Sequence, residues 1–365
     1  MNALLVPAVL LVCSAPPKAE WVIDVGSREQ PWTNVPWVCF TPDSKDLYAL
    51  DVTNREGQIH RWNLATRTAG PVVKVGGIIA DFYAIPAPLA AMVDRNRIIV
   101  GGRDVRLDGA KPKAPLEGVA GKRPTSTNLR QEGSKFPDVP LGFWLQTNGD
   151  SYVVIDRDDQ ERGVLHRGRL SRAQGTASED RTSLQTHEYP RLQGAAVSPD
   201  GKHLAVSNEA VQEVFSPENV LRLLEVGDPM KVLATVKQPH EGSIHNLLFR
   251  PDGKLLATGS EDGAIKLWDL PEVGNEWKPR ATITGPTFGA HGMSFSPDGK
   301  LLAVGTWDRA DNLWIIDVEA GKLLKSTRTE RGIMSLAFSP DGKWLASGSI
   351  GVVQLWAVDN LLRPE

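Results

Sequence analysis

The spacing with the most chemical promise is His240-Glu-Gly-Ser-Ile-His245. Two histidines and a carboxylate make a zinc site when the histidines stand four apart on one helix face. Here they stand five apart, and the intervening Gly and Ser read as a loop entering a strand, so no metal ligand is assigned. The acidic run over residues 156–161 is crossed by Arg157 and followed by Arg162, which neutralise it, and it reads as a solvated turn. No Gly-x-Ser-x-Gly elbow presents a nucleophile, and no Gly-Lys pair is followed by Ser or Thr as a phosphate-binding loop requires. No catalytic residue and no cofactor is therefore expected.

Bulk charge narrows the classes further. Lys and Arg total 41 against 44 Asp and Glu, and no basic stripe carries interleaved aromatics, so nucleic acid is not an expected partner. The apolar run over residues 3–12, broken only by Pro7, is too short to span a bilayer. It has the length and position of a signal-peptide core, so residues 1–19 are expected to be a leader and the protein to be exported, to the periplasm, cell envelope or exterior; without a leader the protein would be cytoplasmic. Loss of Cys13 with that leader would leave Cys39 alone, and no internal disulfide is expected.

The elements that must position any site are set by a repeat. Phe295-Ser-Pro-Asp-Gly-Lys-Leu-Leu-Ala303 recurs from Phe249 to Ala257, from Phe338 to Ala346 and from Val197 to Ala205, and Phe40-Thr-Pro-Asp-Ser-Lys45 is a copy without the Gly. Each is a β-hairpin: one strand ends at the aromatic or Val, Pro and Asp-Gly supply the turn, and a second strand starts at the apolar residues beyond. Weaker copies run from Met92 to Gly102 and from Thr147 to Val154, the latter turning at Asn148-Gly149. The turns fall at positions 42, 94, 147, 199, 251, 297 and 340, and seven near-equal periods predict one repeat array rather than several domains. Residues 109–140 and 168–186 break the rhythm and read as surface excursions.

This pattern resembles the WD-repeat (WD-40) β-propeller family over roughly residues 20–360. The resemblance implies an all-β, seven-bladed propeller of four-stranded antiparallel blades, filling residues 20–365 as one domain and monomeric. It also implies a structural tetrad, complete in one repeat only: His240, Thr258, Asp262 and Trp268. In the next repeat Asp308 and Trp314 match while Pro286 and Val304 do not, and the last keeps Ser347 and Trp356. The third strand of the last repeat ends near Val358 with no outer strand after it, and Trp21-Val-Ile-Asp-Val25 is β-prone, so this N-terminal strand is expected to close the ring. The family's upper rim would hold Glu261 and Trp307, and an exposed Trp is a favoured interface anchor. The function implied is a non-catalytic scaffold for a protein or peptide. The alternative is a propeller enzyme or small-ligand or metal binder, such as a lactonase-like hydrolase.

Overall fold

Turn chemistry repeats along the chain and sets where each sheet starts. At the fourth hairpin the Ser198 hydroxyl donates to Asp200 Oδ1 (2.6 Å) and accepts the His203 N–H (2.8 Å), while Asp200 Oδ1 also accepts the Lys202 N–H (3.0 Å). Gly201 follows at φ 70°, a left-handed conformation that suits a residue without Cβ. Ser296-Asp298-Gly299 and Ser339-Asp341-Gly342 build the same lock. In the fifth hairpin Arg250 replaces the Ser and grips Asp252 through two guanidinium nitrogens (3.0 and 2.8 Å). In the first, Ser44 takes the Gly place at φ 55°.

The computed structural model describes residues 18–25, 33–53, 56–77, 90–94, 97–100, 103–107, 142–145, 151–157, 163–170, 177–181, 192–208, 219–227, 230–271, 276–285, 289–308, 311–329 and 331–363. Among these the strands form seven antiparallel sheets. The first holds Asn34–Phe40, Asp46–Thr53 and Glu56–Asn63, with Thr68–Ala69 and Val73–Gly77 both paired to the third strand. The second holds Ala90–Asp94, Arg97–Val100 and Arg103–Arg106; the third holds Gly142–Leu145, Ser151–Arg157, Gly163–Leu170 and Ala177–Arg181. The fourth is Leu192–Val197, His203–Asn208, Val220–Glu225 and Lys231–Lys237, and the fifth is Ile244–Phe249, Leu255–Ser260, Ala264–Asp269 and Ala281–Thr284. The sixth is Ala290–Phe295, Leu301–Thr306, Leu313–Asp317 and Lys322–Thr327. The seventh joins Ser335–Phe338, Trp344–Gly348 and Val352–Ala357 to Trp21–Asp24 from the other end of the chain.

Adjacent sheets share cores. Leu255, Leu267 and Ile283 of the fifth sheet pack with Phe295, Leu302 and Trp314 of the sixth. Leu313 and Ile315 of the sixth pack with Phe338, Leu345 and Trp356 of the seventh. Val353 and Leu355 of the seventh pack with Val38, Leu47 and Trp62 of the first. The hairpin turns follow the same order along one end of the molecule. A Cβ on Gly253 would touch Pro199, one on Gly299 would press into Arg250, and one on Gly342 would approach Pro297. The Asp341 N–H then donates to Ser44 Oγ (3.1 Å), so the last turn abuts the first. At this end Arg250 also bridges the fifth and sixth sheets through Glu319 (2.7 Å).

The last and first sheets meet along their inner strands. Ser335 Oγ donates to Val35 O (2.9 Å), and Asn34 and Ile350 form an isolated antiparallel bridge. Trp21 pairs with Leu355 and Asp24 with Val352. The Arg67 guanidinium of the first sheet lies 6.0 Å from the Trp21 ring centre, so Trp21–Asp24 is held from both sides.

Three expectations need correction. Four strands per sheet does not describe the first, where a second short strand finds room beside Glu56–Asn63, or the second, which has three among the described residues. Residues 168–186 are not simply an excursion, since Ala177–Arg181 is an ordered strand whose backbone pairs with Gly163–Leu170 despite its polar side chains. The leader boundary at residue 19 is misplaced. Ala19 packs against the core that holds Leu361 and Trp356, and the Glu20 N–H donates to Leu355 O (2.8 Å), so the fold begins before residue 20. The Asn148-Gly149 turn, residues 109–140 and residues 1–17 lie outside the described residues.

At Gly342 (φ 73°) a Cβ would meet only Pro297, at an ordinary 3.9 Å, whereas at Gly299 (φ 71°) a Cβ would come within 2.8 Å of the Arg250 side chain. Gly342→Ala is expected to cost about 1–2 kcal/mol from backbone strain alone. Gly299→Ala should cost more, because Arg250 must move off Glu319. Urea unfolding of the two variants checks that order.

Candidate functional site

The polar centre of the fifth sheet is a directed chain of hydrogen bonds. An indole N–H can only donate and a carboxylate can only accept, and with the His240 ring proton on Nδ1 the steps between them run in one direction. Trp268 Nε1 donates to Thr258 Oγ1 (2.9 Å), the Thr258 hydroxyl donates to His240 Nε2 (2.8 Å), and His240 Nδ1–H donates to Asp262 Oδ2 (3.0 Å). The carboxylate also accepts the Glu241 N–H (2.9 Å) and the Ala264 N–H (2.8 Å). The four nominated residues are thus brought together, spanning a loop, two strands and a turn.

Burial by itself would raise the Asp262 pKa. The His240 hydrogen bond and the Ala264 and Glu241 amides outweigh it and hold the carboxyl well below the usual range. Both ring nitrogens of His240 and both oxygens of Asp262 are engaged, and no group of three or more His, Cys, Asp or Glu able to hold a metal occurs among the described residues.

Neighbouring sheets solve the same problem with other groups. With Val304 in the Thr place, the Trp314 indole turns to the Asp311 carbonyl (2.9 Å). Trp356 keeps a long bond to Ser347 Oγ (3.3 Å). Two residues that sequence reasoning missed hold the connections between sheets. Asn219 Nδ2 donates to the His240 and Gly242 carbonyls (3.2 and 2.9 Å). Asn312 Nδ2 donates to the Thr329 and Arg331 carbonyls (3.4 and 2.9 Å), and its Oδ1 accepts the Thr329 N–H (2.6 Å). The available signal was an Asn immediately before the third strand in two repeats.

The nominated rim residues lie on adjacent sheets at the end opposite the hairpin turns. Glu261 is exposed on the turn after Leu255–Ser260, and a Cβ on Gly289 (φ 65°) would stand 3.4 Å from its Cα. Two residues on, His291 meets the Trp307 ring edge-on at 5.9 Å. Trp307 is half-buried and lies against Gly332, where a Cβ would come within 3.0 Å of the indole.

Seven antiparallel sheets packed in sequence order, one of them completed by a strand from the far end of the chain, define a propeller-type all-β protein. The chain is similar in fold to the β-propeller domain of Cps50 (Swd1) from Myceliophteria thermophila, with TM-score 0.65 and 14% identity, covering 94% of this chain and all of that domain. Residues 230–269, 277–314 and 321–356 match the family described as WD domain, G-beta repeat.

Among curated relatives it is 31% identical over 114 residues to Protein HIR1 of Kluyveromyces lactis, covering 29% of this chain and 12% of that protein. It is 27% identical over 99 residues to the target of rapamycin complex subunit wat1 of Schizosaccharomyces pombe, covering 27% of this chain and 29% of that protein. It is 42% identical over 50 residues to a serine-threonine kinase receptor-associated protein of Bos taurus, covering 14% of this chain and 11% of that protein. The matches thus span less than a third of each relative's length.

These relatives overturn the expectation of export, because they are eukaryotic intracellular proteins and point to the nucleus or cytoplasm. The physical reason the run over residues 3–12 misled is that apolar length alone does not make an export signal; no Lys or Arg precedes it. No helix among the described residues is long and apolar enough to cross a membrane.

Asp262→Ala strands the donors of His240, Glu241 and Ala264 and should cost about 1–3 kcal/mol, whereas Glu261→Ala should stay within about 0.5 kcal/mol. The Asp262 pKa is depressed on folding, so its contribution is complete above the unfolded carboxylate pKa of about 3.9 and disappears as pH falls through the folded value. Denaturant melts should therefore show the gap between wild type and Asp262→Ala constant from neutral pH down to about 5 and shrinking below about 4.

Proposed function

We propose that this chain is a single, monomeric seven-bladed propeller, closed into a ring by Trp21–Asp24, that acts as a non-catalytic scaffold binding a protein or peptide at its rim. The observation that carries this reading is the allocation of polar groups. His240, Thr258 and Asp262 spend their hydrogen-bonding capacity on one another and on the backbone, which makes them a structural staple rather than a reactive centre. What the rim offers to solvent instead is an aromatic, Trp307, seated on Gly332 and His291. A preorganised aromatic at a surface seam suits recognition, because little conformational entropy is lost when a partner covers it. The name of wat1, a complex subunit, supports a role in assembly.

Two experiments test the two halves. If Trp21–Asp24 closes the ring, removing residues 1–17 leaves a cooperatively folding protein. Removing residues 1–26 bares the Val352–Ala357 edge and should lower Tm and promote aggregation. Equal Tm and equal light scattering for the two truncations would rule out closure. For the rim, a photo-crosslinker at position 307 should capture a discrete partner in native extract, and one at position 323, on the outer strand of the sixth sheet, should not. Identical capture patterns would remove the rim assignment.

A further inference from the structure

We draw no further inference here: the strongest candidate, the side-chain pair of Asp51 and His60 in the first sheet, in which the Asp51 carboxylate is buried and its Oδ1 has no partner, carries nothing because two groups fall short of the three protein ligands that an open zinc site uses and no third His, Cys, Asp or Glu joins them among the described residues.

Discussion

Everything in this molecule depends on apolar contact between neighbouring sheets. A sheet such as Ile244–Phe249 with its three partners is buried on both faces: Leu256 and Trp268 look toward the fourth sheet, Leu255 and Leu267 toward the sixth. A sheet with two apolar faces cannot be stable alone or at the end of a row. It needs a neighbour on each side. The shared core of Val353, Leu355, Leu47 and Trp62 joins the last sheet to the first, between residues about three hundred positions apart.

Polar groups are secondary to this packing but decide how tightly each repeat is tied. The chain from Trp268 to Asp262 works because donors and acceptors alternate in one direction and end on a carboxylate with two backbone amides in reach. Where the Thr or His is missing, the need for a partner persists. The Trp314 indole takes a carbonyl instead, and Asn219 and Asn312 hold the connections between sheets. Losing tetrad residues therefore shifts the hydrogen bonds onto the backbone rather than removing them, in keeping with the cost of an unpaired buried group.

The two ends of the propeller differ in what they offer. At the hairpin end the Asp-Gly turns satisfy themselves and touch one another, and Arg250 and Glu319 bridge sheets, so that end is given over to holding the array together. At the other end the loops vary from repeat to repeat, and the half-buried Trp307 sits there beside exposed Glu261. A repetitive end suits cohesion, and loops that vary from repeat to repeat are where function is more often grafted onto a scaffold.

The sequence by itself determined the hairpins, their spacing and the residues of the one full tetrad. A Pro-Asp-Gly turn is specified by dihedral limits within four residues, so its identity is visible wherever the letters occur. Tertiary structure alone decided the rest. The fifth strand in the first sheet depends on space beside Glu56–Asn63, and Ala19 joins the fold only because the far C-terminal strand presents Leu355 to the chain beside it. Asn219 and Asn312 became visible once loops some twenty residues away came within hydrogen-bond reach, and the seat of Trp307 exists because Gly332, on the next sheet, leaves room for the ring. Local backbone limits can be read from neighbouring letters, whereas contacts between distant segments exist only after the chain has closed on itself.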